Sequence, residues 1–363
     1  MREIAIGLAG VGYWGTKLAR NIFEAPGCRL AAICDADAVR LEAAATRYPG
    51  CRRFLDLEAM LGSESLDAVV LATPASCHAE HARAALEAGK HVLVEKPLAL
   101  STADCDDLCD LAAERGLTLM VGHTFVYSEP VRFLRELVRE GELGQVLYAY
   151  GQRLNLGVIR EDLNALWNFG PHDVSILIYV LDGLPVRVSA LQYSLLDRSL
   201  EDVVFLALEF PGGVVGHIHE SWLDPRKVRQ LTVVGDRKMA VYDDTDVETP
   251  IRIYDKGVVR KLPEGEMASR AGVFAPEEPE GFGEFKLETR AGDMLAPRVS
   301  AREPLRVEIE HFVECVSTGL RPLTDGVHGR EVVAVLEAAH RSARDGGTSV
   351  PIQGARLALA SRD

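Results

Sequence analysis

Two groups of residues in this chain have the types and spacing to hold a dinucleotide and to move a proton. Gly10-Val11-Gly12-Tyr13-Trp14-Gly15 carries the G-x-G-x-x-G spacing between an apolar run and a helical pattern. There, the first glycine permits a tight turn and the second lets backbone approach a pyrophosphate. The third lets helix and sheet close together, with the positive helix end facing the phosphates. Asp35 follows Gly15 by 20 residues and ends the next apolar run. A carboxylate there accepts hydrogen bonds from an adenosine ribose diol and repels a 2′-phosphate, so the pattern predicts NAD rather than NADP. Asp37 competes for that role; the bland alternative is a plain glycine turn, with Asp35 capping a helix that starts at Ala38.

The second group centres on Lys96 and His172. Glu95-Lys96-Pro97 follows an apolar strand at 91–94, so Lys96 is delivered to the same sheet edge as the glycine loop. Proline keeps Lys96 extended and is a candidate cis position, and an ammonium there can protonate or hydrogen-bond a substrate oxygen. His172 follows Pro171, which suits a first helical position. The positive end of a helix starting there disfavours imidazolium and leaves a neutral base. A capped core histidine is the competing reading. The segment after 72 offers Thr73, Pro74 and His78 as cofactor contacts, although Ser76 or Cys77 can simply start a helix. Tyr13, Trp14, Glu95 and Lys96 complete the cofactor candidates, and Tyr127, Arg153, Asn155, Trp167 and Asn168 are candidate substrate-pocket lining. Arg153 can meet a carboxylate or phosphate with two parallel bonds.

The elements that must position these groups alternate over the first 122 residues. Apolar runs at 4–8, 30–34, 68–72, 91–94 and 117–121 read as strands, and amphipathic stretches at 14–23, 38–47, 78–87 and 102–114 as helices. That alternation predicts an α/β fold: a parallel Rossmann sheet over 1–122 with crossover helices. Ser101 is read as a helix N-cap, Gly89 and Gly116 as helix ends. From 123 to 363 a helix at 130–139 precedes longer alternating strands at 146–154, 186–195, 203–210, 214–222, 230–234 and 239–242. These predict a second α/β domain with a large, mostly antiparallel open sheet. A helix over 171–181 interrupts it, 263–302 reads as an extended excursion, and helices at 307–318 and 329–344 close the chain. The last of these is expected to return across the domain boundary.

Composition excludes several classes. With 363 residues, 47% hydrophobic, the chain is long enough for two cores. Forty basic against 54 acidic residues give −14, which opposes non-specific binding to nucleic acid or anionic membrane. No apolar run reaches a membrane span, and the seven cysteines lack Cys-x-x-Cys spacing. The expectations are a cytoplasmic location, no disulfides and no metal; His217-x-His219 lacks accompanying ligands.

The fingerprint with Tyr13-Trp14-Gly15, Glu95-Lys96-Pro97 and the run from Trp167 through Pro171 to His172-Asp173 together resemble the Gfo/Idh/MocA oxidoreductase family over nearly the whole chain. Gly122-His123-Thr124-Phe125, Arg153-Leu154-Asn155-Leu156-Gly157 and Asp224-Pro225-Arg226-Lys227-Val228-Arg229 resemble its branch acting at C3 of UDP-N-acetylglucosamine or its uronic acid. The resemblance implies NAD(H), Lys96 and His172 as active-site residues, and a homodimer or homotetramer formed through the open sheet. It also implies a sugar or nucleotide-sugar substrate. A keto-sugar reductase of deoxysugar biosynthesis and an inositol or polyol dehydrogenase are the alternatives within that class. A non-catalytic NAD-binding sensor or scaffold is the alternative from another. The family commonly has aspartate four residues before the histidine; here Asn168 stands there, which can orient a hydroxyl or imidazole but cannot ionise.

Overall fold

The computed structural model describes residues 3–62, 65–157, 162–196, 200–260, 287–300 and 302–354. The first alternating stretch folds into β1 Ile4–Ala9, α1 Gly15–Glu24, β2 Cys28–Cys34, α2 Ala38–Arg47, β3 Arg52–Phe54, α3 Leu57–Leu61, β4 Ala68–Leu71, α4 His78–Glu87, β5 His91–Glu95, α5 Thr102–Arg115 and β6 Leu119–Gly122. All six strands run parallel in the order β3-β2-β1-β4-β5-β6. β4 is buried at every position, as a strand covered by helices on both faces must be. Local signals set the helix ends: Ser101 accepts from the Asp104 N–H, and Gly116 closes α5 in the left-handed region at φ 63°. β3 escapes the hydrophobic pattern because two of its three residues are arginines.

The order of the strands reverses between β1 and β4, so the crevice for a ligand opens above their carboxyl ends. The glycine loop leaves β1 there, Thr73 follows β4, and Lys96 follows the adjacent β5.

The second half contributes α6 Glu129–Arg139, β7 Val146–Leu154, α7 Ala165–Leu181, β8 Arg187–Tyr193, β9 Val203–Glu209, β10 Val215–Ser221, β11 Val228–Gly235, β12 Met239–Asp243 and β13 Ile251–Tyr254. A ribbon of β14 Gly257–Arg260 and β15 Leu287–Arg290 stands apart, and β16 Met294–Leu295, α8 Pro304–Thr318, α9 Gly326–Arg344 and β17 Val350–Pro351 follow. The nine-stranded sheet runs β16-β13-β12-β11-β7-β10-β9-β8-β17, antiparallel except where β7 meets β10. α7 and α9 lie against this sheet, while Tyr148, Tyr150, Leu191, Tyr193 and Val215 remain exposed. Most of the expected excursion at 263–302 lies outside the described residues.

One expectation about α7 is corrected. The helix does not begin at Pro171: its cap is Asn164, whose side chain accepts from the Trp167 N–H, and Pro171 lies inside the helix. The Asx cap satisfies an otherwise unpaired first-turn donor, a local signal as strong as proline's preference for the first turn. Next to it, an added Cβ on Gly170 would stand 2.7 Å from Leu336 Cδ2, so α9 presses on α7 where the proline interrupts its bonding.

α9 returns across both halves. It lies against α5 and β6 on one side and α7 and β8 on the other. Just before it, Thr324 bonds twice to Val121, accepting its N–H at 2.7 Å and donating Oγ1 to its carbonyl at 2.7 Å. No helix among the described residues is long and apolar enough to cross a membrane.

Candidate active site

The three glycines of the fingerprint meet three different steric demands. Gly10 has φ +90°, and a Cβ there would lie 2.4 Å from the Ala72 carbonyl oxygen. A Cβ on Gly15 would lie 1.9 Å from the Gly10 oxygen, whereas one on Gly12 meets nothing nearer than Arg40 Nη1 at 3.8 Å. The first and third glycines are therefore demanded by the fold, and Gly12 faces space that a pyrophosphate can fill. Asp35 Oδ2 accepts from the Val11 N–H at 2.8 Å and Oδ1 from the Asp37 N–H at 2.9 Å. Asp37, not Asp35, caps α2 by accepting from Val39 and Arg40. Asp35 thus holds the glycine loop against the end of β2 and keeps lone pairs for a ribose diol.

Trp14 ties this loop to the next strand end, its indole Nε1 donating to Glu95 Oε1. Burial lifts the Glu95 carboxyl to about 7, against the opposing pull of Lys96 and the Trp14 bond. Tyr13 is exposed, and the Lys17 ammonium lies 4.4 Å from its ring centroid and 4.9 Å from that of Trp14. Sequence reasoning missed Arg40, which with Val11, Arg47 and Tyr48 lines a cavity of about 300 Å³ beside the loop. Its signal was available: a cation one turn into the helix that follows Asp35.

The peptide between Lys96 and Pro97 is cis. The Lys96 ammonium donates to the main-chain carbonyl of Asn168 at 2.9 Å, so the end of β5 reaches α7 one turn before His172. The two expected catalytic residues lie in one electrostatic neighbourhood. Burial holds the His172 imidazole well below its usual range, and the charges of Lys96 and Arg153, with His123 and Arg229, act in the same direction. The helix end invoked from sequence is not the cause, since α7 starts at Ala165. His172 Nδ1 is buried with no hydrogen-bond partner, and the ring meets Phe125 edge to face at 5.0 Å. A neutral imidazole in this setting can accept a hydroxyl proton. Asn168 and Trp167 are half-buried beside it, and Asn155, also half-buried, donates its N–H to the Ser221 carbonyl.

Three candidates take other roles. Arg153 is 4% exposed and spends its guanidinium on Asp173, Nε to Oδ2 at 2.6 Å and Nη2 to Oδ1 at 3.1 Å. It also lies 4.6 Å from the Phe125 ring centroid, so it braces the aromatic wall against which His172 rests rather than meeting substrate. Tyr127 is 1% exposed, with its hydroxyl 3.0 Å from Thr324 Oγ1. His78 is likewise buried and faces two carbonyls, Nδ1 at 2.6 Å from Pro97 O and Nε2 at 2.9 Å from Thr73 O. It staples the ends of β4 and β5; beside it Thr73 is half-buried, with its Oγ1 3.0 Å from His81 Nδ1, and Pro74 is exposed. Each had the right residue type, but its polar atoms are consumed inside the protein.

The matches to known proteins follow this division. Residues 4–123 match the NAD-binding Rossmann fold of the Gfo/Idh/MocA oxidoreductase family and residues 131–241 match its C-terminal domain. The chain belongs to the Gfo/Idh/MocA family. NAD is its cofactor class, and the Gly12 opening and Asp35 fit that dinucleotide. The UDP-N-acetylglucosamine 3-dehydrogenase of Acidithiobacillus ferrooxidans is 26% identical over 92% of this chain and 95% of its own. Its solved structure superimposes with TM-score 0.75 at 25% identity, over 95% of this chain and 99% of that one. GenD2 from gentamicin A biosynthesis, solved with NAD, gives 0.78 at 25% identity over 97% of each chain. The 2,7-anhydro-N-acetylneuraminate hydratases of Mediterraneibacter gnavus and Escherichia coli are each 29% identical, but over only 52% and 59% of their own lengths; the chain spans little more than half of these relatives.

Proposed function

We propose that this chain is an NAD-dependent dehydrogenase acting on a secondary alcohol of a nucleotide-linked sugar, with C3 of UDP-N-acetylglucosamine or its uronic acid as the leading case. The observation that carries the reading is the Lys96–Asn168 bond, which gathers an ammonium and the neutral His172 at the carboxyl edge of the dinucleotide sheet. His172 takes the hydroxyl proton, and Lys96 holds the same oxygen as it becomes a carbonyl. Trp14 and Glu95 align the cofactor loop with that centre. The bound dinucleotide supplies the hydride acceptor.

A nucleotide is favoured by a cationic rim. Arg229, paired with Asp244 at 3.2 Å, acts electrostatically on both His172 and Tyr13, and Lys227 acts on Tyr13, which supports reading these cations as part of the substrate side of the cleft. Arg226 and Lys227 are exposed. A diphosphate-bearing substrate matches such a rim in a chain that is otherwise acidic. The near full-length likeness to the 3-dehydrogenase supports the same choice. Residues 1–122 are the cofactor unit in this reading, and 123–363 bind substrate. The exposed tyrosines of the open sheet suit a contact between copies of the chain.

The test is NADH formation on mixing the protein and NAD with UDP-, dTDP- and GDP-sugars, the UDP-N-acetylhexosamines and their uronic acids included. Turnover of a UDP-N-acetylhexosamine or its uronic acid is expected. Turnover of free inositol alone refutes the nucleotide, and cofactor binding without turnover of any sugar marks a sensor. Product without net NADH signals transient use of the cofactor.

A further inference from the structure

The open sheet carries a second arginine beside Arg153. In the β11–β7 register Arg229 lies directly opposite Arg153, so both side chains leave the face on which Arg153 meets Asp173 of α7. Alternation agrees, since Leu231 and Val233, two and four residues further along β11, are buried. From Arg153 the row reaches the reacting centre in two steps. Its guanidinium carbon is 4.6 Å from the centre of the Phe125 ring, and that ring is 5.0 Å from the His172 ring. Arg229 stands one strand spacing, about 5 Å, to the side of this brace.

Like charges placed opposite each other on neighbouring strands repel, so each of the two needs a counter-charge. Arg153 has its own inside the protein: it is buried, and two bonds match it to Asp173. Arg229 differs on both counts. Its side chain is 32% exposed, and among the described residues one bond holds the guanidinium, Nη1 to Asp244 Oδ2 at 3.2 Å. The other oxygen of that carboxylate accepts from the Tyr242 hydroxyl at 3.0 Å, and the Asp244 N–H donates to the Arg229 carbonyl at 2.9 Å. Asp244 is thus fixed, and it tethers the guanidinium end-on while Nε and Nη2 keep their hydrogens for another acceptor. Such a fork meets two oxygens of a carboxylate or phosphate in parallel. The tether also means that little freedom is lost when an anion arrives.

We propose that Arg229 is a specificity-determining residue, the anchor for a pair of anionic oxygens, carboxylate or phosphate, that the substrate carries near its reacting carbon. The inference deepens the nucleotide-sugar reading and rests on its placement of the reacting centre at His172. A neutral polyol has nothing for this arginine to hold, whereas a sugar diphosphate or a uronic acid does.

The test reads binding rather than turnover. The full-length protein loaded with NADH is titrated in a calorimeter with uridine diphosphate and, separately, with glucuronate. The first supplies the phosphate and the second the carboxylate, so the probe that binds names the source. Binding of at least one is expected, weakening as salt is raised. Arg229→Gln should weaken it at least about tenfold, and Arg229→Lys, which keeps the charge but not the fork, by less. NADH affinity should stay within about threefold, because the glycine loop is untouched. Should Arg229→Gln not fold with Asp244 left unpaired, Arg229→Gln combined with Asp244→Asn removes both charges and carries the same expectation. Equal binding of the probes by variant and wild type overturns the proposal, as does failure of both to bind the wild type or a loss confined to NADH. If uridine diphosphate alone binds, and equally to both proteins, the anchor is lost and the nucleotide reading stands. Glucuronate bound by the wild type and lost by the variant upholds the anchor even if no nucleotide sugar is turned over.

Discussion

The Lys96 ammonium meets the Asn168 carbonyl at 2.9 Å, and with that one bond a residue of the parallel sheet is fixed to a helix that covers the antiparallel one. Asn168 precedes His172 by a single helical turn, so the contact also sets where the amine stands relative to the imidazole.

Lys96→Met preserves length and apolar stem but removes the donor. Turnover should fall by about 10²–10⁴-fold, the usual scale of general acid–base help. NADH affinity, read by fluorescence, should stay within about threefold because the glycine loop is untouched. Intact turnover would remove Lys96 from the mechanism.

The glycines separate fold from ligand. Gly15→Ala drives a Cβ into the Gly10 oxygen, and overpacking of this kind should cost about 1–3 kcal/mol and lower the melting temperature. Gly12→Ala has room within the protein, so it should melt like the wild type yet bind NADH at least about tenfold more weakly, since the methyl occupies the pyrophosphate approach. Calorimetry and a fluorescence titration on the two variants check both halves of the contrast.

Arg153 and Asp173 form a buried pair, and Arg153→Met strands the carboxylate. A loss of about 3–5 kcal/mol is expected in urea denaturation. The double variant Arg153→Met with Asp173→Leu should regain most of it, because no uncompensated charge then remains. A double variant no more stable than the single one would argue that the pair does more than neutralise itself.

His123 is 1% exposed, with both ring nitrogens unpartnered, and burial with the His328 and Lys96 charges holds it well below the usual imidazole range. In the unfolded chain it protonates near 6.5, so below that pH the unfolded state binds the extra proton and stability is lost as pH falls. His123→Phe removes this dependence. Its melting temperature relative to wild type should therefore rise steadily from about pH 6.5 to about pH 5. A constant difference across that window would show that His123 titrates normally.

The cofactor half of the site was legible because each of its parts is local. Glycine spacing, a strand before it, a helix after it and an acid at the next strand end all lie within 35 residues, and the structure adds only Arg40. For the proposed reacting centre, sequence offered residue types but not their environment. Nothing local distinguishes an Arg153 that meets substrate from one locked to Asp173, because the partner arrives from another element. Proline suggested a helix start at 171, whereas Asn164 had already capped one. The burial of Glu220 was missed although its signal was present: alternation along β10 puts it on the same face as Ile218, which is buried. Read alone, a glutamate near the end of a strand looks like ordinary surface.

The seam that α9 makes has a consequence for how substrate is engulfed. Gly329 lacks the Cβ that would strike Val121 at 2.6 Å, and Thr324 grips the same valine by its main chain, so this helix is riveted to one sheet while its other flank lies on α7. A clamshell rotation of the halves would have to tear that joint. Under the proposed reading, tightening around a substrate falls to side chains at the mouth such as the exposed Tyr13, which makes the opening a fixed doorway with movable fittings.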